Sequence, residues 1–308
     1  MFTIFLGLTP FIFITFLGFI FGKLKVLDLS HAKILNLFLF YVAVPALIIK
    51  LIAQNDIGQV DLKQIISYLI MQSICGIIAY RITSKYFKRS IQESIIWALT
   101  VALSNHVTLL LPITEIYFQK NVITQVASII LMDGVILLSV IAFFLELSTK
   151  KNLNLFTFSK NLFFNPFILS VIIGLLILLL NFNIDKTPIE YTLSRLAACV
   201  SPVGLFAIGI ILSFYTKNII NKLSVSISIL KLIISPIILL LIGLLFFNSG
   251  LPVEIPGAFF VSVAPCGVTA IVLCSAYNVS PEDIIKAIFV STIASIGTIF
   301  FAIRYLTL

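Results

Sequence analysis

Ser104-Asn105-His106-Val107-Thr108-Leu109-Leu110-Leu111-Pro112 sets four polar side chains and a proline inside an apolar run, 91–118, long enough to span a membrane. A proline within a helix removes a backbone donor and clashes with the preceding turn. In lipid the freed carbonyls need partners, so such a break survives only against protein or a watery cavity. Polar groups beside it can offer amide and hydroxyl partners to a ligand near the membrane midplane. The plainer alternative is that Asn105 and Thr108 only hydrogen-bond neighbouring helices. A second stretch answers the first. In Ser262-Val263-Ala264-Pro265-Cys266-Gly267-Val268-Thr269, Pro265 and Gly267 predict an unwound turn with exposed backbone amides.

The composition around these stretches fits a membrane. Of 308 residues, 60% are hydrophobic and 10% charged, and the mean hydropathy is +1.19. A soluble globular chain carries about 45–50% apolar and about 25% charged residues. Apolar runs fall at 2–22, 32–53, 64–80, 91–118, 124–147, 163–182, 191–214, 223–247, 255–277 and 283–306. The expectation is an all-α, polytopic membrane protein of ten spans. A soluble enzyme, a disordered chain, a nucleic-acid binder and a single-anchor protein are excluded. The net charge of +8 is then read as a topology signal and not as a nucleic-acid surface. The first run is expected to stay in the chain: no basic region precedes it and no small-residue cleavage site follows it. Cys75, Cys199, Cys266 and Cys274 lie in apolar runs without a CxxC pair, so neither disulfides nor a metal framework is expected.

Loop charges set the orientation. The odd-numbered loops carry Lys23, Lys25, Lys33, Arg81, Lys85, Lys88, Arg89, Lys150, Lys151, Lys160, Lys217 and Lys222. The first four even-numbered loops carry only Lys63, Lys120 and Lys186, beside Asp56, Asp61, Asp185 and Glu254. Cytoplasmic loops are the basic ones, which puts both termini outside the cell membrane. The ninth loop, Pro281-Glu282-Asp283, is acidic and departs from the rule.

The chain also divides into two halves, 1–147 and 163–308, joined by a basic linker, 148–162. Five spans per half force the second half to insert upside down, the inverted-repeat plan of many secondary transporters. Breaks recur in equivalent places: Pro45 in span two with Pro202 in span seven, Pro112 in span four with Pro265 in span nine. Paired breaks are the sequence pointer to a binding site. The substrate-binding candidates are Asn105, Thr108, Cys266, Gly267 and Thr269, with Pro112 and Pro265 setting the crossover.

Charges inside the spans come next. An ionised carboxylate at mid-span costs roughly 2.5–3.5 kcal/mol, so Asp133 is expected to be paired, protonated or facing water. It is a candidate for coupling to a proton or another cation, or a structural partner of a neighbouring helix. Lys50 either snorkels to a membrane edge or attracts an anionic substrate, and Glu115 divides similarly. Arg195 and Lys231 are expected at the interface, and His106 is a lesser candidate as a proton carrier. His31 and His106 stand too far apart for an HExxH site. Gly18-Phe19-Ile20-Phe21-Gly22-Lys23-Leu24 only resembles a phosphate loop: it is one residue short between its glycines and lacks the Ser/Thr. No enzyme, metal centre or cofactor is expected.

Taken together, the motifs resemble the auxin efflux carrier family of membrane transporters through most of the chain. Tyr41-Val42-Ala43-Val44-Pro45-Ala46-Leu47 matches the family's Tyr-Val-Ala-x-Pro-Ala-Leu. Asn105 stands seven residues before Pro112, and Asn165-Pro166 opens span six with Gly174 following. Pro202, Phe206, Ala207 and Gly209 fit the pattern of span seven, and Ala264-Pro265 through Ala276-Tyr277-Asn278-Val279 fits that of span nine. The resemblance implies ten helices in two inverted five-helix repeats, with spans four and nine crossing at their prolines. It implies an organic anion at that crossing, its carboxylate on Asn105, and elevator-like movement against a scaffold of spans one, two, six and seven. The plant branch has a long central loop and an acidic residue in span three. Here the loop is short, and Ser67-Tyr68-Leu69-Ile70 occupies that part of span three. The resemblance therefore points to small carboxylates such as malate or malonate, not to auxin. The expected function is a secondary active transporter of a small organic anion; the alternative is a channel or passive facilitator. The lipid bilayer, the anion and a coupling proton or sodium ion are the expected partners, nucleic acid is not, and a homodimer is left open.

Overall fold

A computed structural model describes residues 2–54, 61–149, 155–180, 182–215, 218–247 and 254–307. Asp56, Lys150, Lys151 and Lys217, used above for orientation, lie outside the described residues. Among those described, the chain is helical apart from its turns, and β pairing is confined to one antiparallel bridge between Ser104 and Cys266. The helices of the first half are α1 (Phe2–Lys23), α2 (Leu29–Gln54), α3 (Leu62–Tyr86), α4 (Ile91–Ala102), α5 (Leu111–Tyr117) and α6 (Lys120–Thr149). A linker helix α7 (Leu155–Phe163) precedes α8 (Pro166–Leu179), α9 (Pro188–Phe214), α10 (Lys222–Leu245), α11 (Pro256–Ser262), α12 (Thr269–Ala276) and α13 (Glu282–Leu306). Seven of them (α1, α2, α3, α6, α9, α10 and α13) are long and apolar enough to cross a membrane, while α4 and α8 are shorter apolar helices. The protein is a polytopic, all-helical membrane protein.

Helix ends follow local chemistry. Asp28 caps α2 by accepting from the amides of Ser30 and His31, and Asp61 caps α3 through Lys63 and Gln64. Ser90 and Glu93 form a reciprocal capping box at α4, as Asn221 and Ser224 do at α10. Asn165 caps α8, and Pro166 fills the first turn, where its missing N–H costs nothing. The side-chain hydrogen bonds of Ser30 and then His31 hold the Asp28 carboxyl well below the usual carboxylate range.

Prolines act through their surroundings. Leu39–Ala43, His106–Leu110 and Leu230–Ile234 are wide π-type turns, each ending two residues before a proline: Pro45, Pro112 and Pro236. The wider turn gives the ring room that a regular helix denies it. As a result α2 passes Pro45 as a continuous helix, whereas α9 has no such turn before Pro202 and instead carries a single turn residue, Cys199, three residues ahead of it. The breaks expected there are distortions, and among the described residues full unwinding within an apolar run falls at 103–105 and 263–268. A further π-type turn, Asp133–Leu137, has no proline and starts at the buried carboxylate.

Packing divides the helices into two groups. In one, α1 packs along α9, and α2 packs on α8 and α9. In the other, α3 to α6 pack with α10 to α13. The α1/α9 seam explains the glycines that resembled a phosphate loop. A Cβ at Gly18 would strike the Phe206 carbonyl, and one at Gly209 would strike the Thr15 carbonyl and lie 2.8 Å from the Phe19 nitrogen. Gly18-x-x-x-Gly22 is thus a small-residue stripe that lets two backbones touch.

Candidate functional site

The two unwound segments meet. The amide of Asn105 donates to the carbonyl of Pro265 at 2.9 Å, and that of Gly267 to the carbonyl of Leu103 at 2.7 Å. This short antiparallel pairing satisfies backbone groups that the breaks set free, as a low-dielectric interior requires. A Cβ at Gly267 would sit 2.7 Å from the Leu103 carbonyl oxygen, so a larger residue would push the segments apart. The amide of Cys266 donates to Ser291 Oγ of α13 at 3.2 Å, and Thr298 Oγ1 of the same helix donates to the Val263 carbonyl at 2.8 Å. The expected exposure of the Cys266 and Gly267 amides is therefore corrected: both are consumed by the crossover.

The helix dipoles organise the junction. α4 and α11 run into it with their C-terminal ends, and α5 and α12 leave it with their N-terminal ends, so partial charges of both signs face one region. The outer end of α11 is held by two glutamines: Gln125 Oε1 accepts from Gly257 N at 3.0 Å, and Gln64 Oε1 from Ala258 N at 3.2 Å.

Side chains converge on the first break. Asn105 is 4% exposed, and its Oδ1 accepts from Thr108 Oγ1. That bond fixes the amide orientation, and among the described residues Asn105 Nδ2 makes no hydrogen bond. Ser104 Oγ donates to the Val261 carbonyl at 2.9 Å, lies 3.2 Å from Tyr68 Oη, and accepts from Lys231 Nζ at 2.7 Å. His106 Nε2 lies 2.9 Å from Asp133 Oδ2, while Gln72 Nε2 donates to Asp133 Oδ1 at 3.0 Å. His106 Nδ1 and Gln72 Oε1 are buried without partners among the described residues. Asp133 is thus paired, the first of the three states the sequence allowed.

Lys231 requires a correction. It is not interfacial but 1% exposed, on the π-type turn of α10. Its flanking leucines and isoleucines made it look like a snorkelling end residue. The usable signal was its place five residues before Pro236, almost the offset of His106 from Pro112. Tyr68, Gln72 and Ser291 were also missed, since single polar residues in apolar runs carry no spacing pattern. Arg195 is exposed and stacks on Tyr191, 4.9 Å from the ring centroid. Lys50 is half-buried within Coulombic reach of Glu115, at the end of α5 away from the crossover. Thr269 is half-buried and opens α12. Pro112 follows the π-type turn His106–Leu110 that opens the second half-helix, so it lies inside that half-helix and is not itself the break.

The two helix groups meet closely at the site. A Cβ on Gly204 of α9 would lie 2.6 Å from Thr108 Cγ2, and one on Gly134, next to Asp133, would strike the ring of Phe167 of α8. Beside α12 a cleft of about 370 Å³ runs between the groups, with Lys33, Asn36 and Tyr41 on one wall and Ile271, Ser275 and Ile285 on the other. The acidic ninth loop is neutralised in place: Arg89 meets Asp283 at 2.5 Å, and Lys286 meets Glu282 at 2.7 Å. Arg89 belongs to the basic third loop, so loops three and nine share one face, and the departure from the charge rule is compensated locally.

No curated protein matches the sequence closely enough to count as a relative. The family model described as "Membrane transport protein" matches residues 3–303, nearly the whole chain, including every residue of the crossover. The chain belongs to that family, the auxin efflux carrier family of membrane transporters.

Proposed function

We propose that the chain is a secondary active transporter of a small mono- or dicarboxylate, malate or malonate in type. The observation that carries this reading is the free Nδ2 of Asn105 at the meeting of two unwound helices, its carbonyl side already held by Thr108. An amide donor beside two half-helix N-termini suits a carboxylate. Thr108 and Thr269 would supply hydroxyls, while Cys266 and Gly267 act through their backbone and Pro112 and Pro265 preserve the crossover.

In this reading α1, α2, α8 and α9 form the scaffold, and α3 to α6 with α10 to α13 move against it in an elevator-type cycle. Segments 1–147 and 163–308 are the two inverted repeats of a ten-span chain, linked at 148–162. Both termini face outside the cell membrane. The glycines of the Gly204/Thr108 and Gly134/Phe167 contacts leave side-chain-free surfaces at the meeting of the two groups, which suits sliding. The cleft between α2, α9 and α12 would be the substrate's way in from the Lys33 side. Asp133, paired with His106, is the candidate carrier of a coupling proton, and Lys50 a charge near the opposite mouth. A carrier is favoured over a channel because Ser104, Asn105, His106 and Thr108 are all more than nine-tenths buried, whereas a pore would line its path with accessible polar groups.

Counterflow in proteoliposomes tests the reading: vesicles preloaded with malate should accumulate labelled malate saturably, and Asn105→Ala should abolish the accumulation. Absent accumulation by folded wild-type protein, across a panel of carboxylates, would sink it.

A further inference from the structure

Lys231 is the least exposed cation among the described residues, and its surroundings are unusual for a lysine. Ser104 Oγ spends its own proton on the Val261 carbonyl, so its lone pairs face the ammonium and the hydroxyl of Tyr68. An ammonium has three donors, and only the one to Ser104 is taken up among the described residues. The ionisable groups around it are Tyr68 and Cys75 of α3, Cys266 of the second break and Asp133 of α6. Asp133 already commits both oxygens, to Gln72 and to His106. Among the described residues Lys231 therefore forms no ion pair, and a buried cation without one needs an anion or a converging set of dipoles. The structure provides the dipoles: the C-terminal ends of α4 and α11 meet at Ser104 and Val263 beside it.

We propose that Lys231 is the resident cation of the crossover, supplying the positive charge that balances an organic anion on neighbouring Asn105. The inference rests on the carrier reading for the identity of the anion, and it deepens that reading in two ways. Anion binding depends on the charge of residue 231 and not on its bulk, and it needs no sodium ion at the crossover.

The test uses the purified full-length protein. Malate and malonate binding are measured in sodium and in choline buffers for wild type, Lys231→Met and Lys231→Arg. Wild type should bind equally in the two salts, within about twofold. Lys231→Met, which keeps the length and removes a buried charge, should stay folded and lose at least tenfold in affinity, and Lys231→Arg should recover part of it. In Lys231→Ala, n-propylammonium should raise the melting temperature while n-propanol, equal in bulk, should not. Binding by Lys231→Met within twofold of wild type, a requirement for sodium in wild type, or equal effects of the ammonium and the alcohol would each overturn the proposal. If wild type binds neither acid, that failure falls on the anion reading, and the ammonium–alcohol comparison still decides the role of Lys231.

Discussion

His106 and Asp133, 2.9 Å apart and both buried, each begin a π-type turn on a different helix. The wide turn lets a side chain leave the regular helical lattice, and here two such departures aim at each other. A pair like this is costly to bury and worse to break: leaving one member unpartnered costs about 3–5 kcal/mol.

Asp133→Asn keeps the shape and a hydrogen bond to His106 while removing the charge. If the pair carries the coupled proton, counterflow by this variant should lose the pH dependence that wild type shows, with a residual rate at all pH values. An unchanged profile would make Asp133 a packing residue.

Asn105→Ala removes the free amide donor and leaves the backbone pairing to Pro265 intact. Uptake should fall at least tenfold with little change in melting temperature, because among the described residues the lost side chain bonds only Thr108. Near-normal uptake would remove Asn105 from the site.

Gly204→Ala places a methyl group 2.6 Å from Thr108 Cγ2. Turnover should drop several-fold, and Thr108→Ser in the same chain should restore it, since serine lacks that methyl and keeps the hydroxyl for Asn105. Failure of the double variant to recover would mean that the contact is not what limits turnover.

Gly209→Ala drives a methyl group into the backbone of α1. Overpacking of this kind costs about 1–3 kcal/mol, and a lower melting temperature in detergent is the expected result. An unshifted melting curve would show that α1 can retreat from α9 without penalty.

Asp28 offers a pH test outside the spans. Its folded-state carboxyl is held below the unfolded value of about 3.9 by Ser30 and His31, so its contribution to stability is complete above that value and fades as the pH falls through the folded one. Asp28→Asn should remove that acid-side dependence at the start of α2, read as amide exchange of residues 29–31 between pH 5 and pH 3. Equal exchange in both proteins would deny the cap this role.

Much of this was legible in the sequence, for definite reasons. Apolar runs report helices in a bilayer directly, and Pro265 with Gly267 gave the second break because neither residue suits a helix interior. Pro112 pointed to the first break but stands seven residues after Asn105, since a proline disturbs the turn before it and not its own. Asp133 and His106 were visible as polar residues in apolar runs. Their pairing was not, because contact between α6 and the break depends on three-dimensional packing. Lys231 shows the limit most clearly. A lysine nine residues past the start of a long apolar helix has the same local sequence whether its ammonium reaches headgroups or a hydroxyl at the protein's centre, and only the placement of Ser104 decides between them. Gly18 and Gly22 do not form a phosphate loop, as their spacing already showed, but their packing role stayed hidden because the partner stripe on α9 lies far along the chain.

Neither sequence half owns a helix group. α1 finds its seam on α9, and α3 and α6 find theirs on α10 and α11, so each half supplies strands of contact to both groups. During synthesis α1 enters the bilayer long before its partner exists, with a bare glycine stripe facing lipid, and Asp133 waits beside His106 without the roof that α8 later provides. The seam on α1 can therefore close only once residue 209 and its neighbours have been made. It follows that two separately encoded halves should assemble when produced together, and that the first half alone should be cleared by membrane proteases.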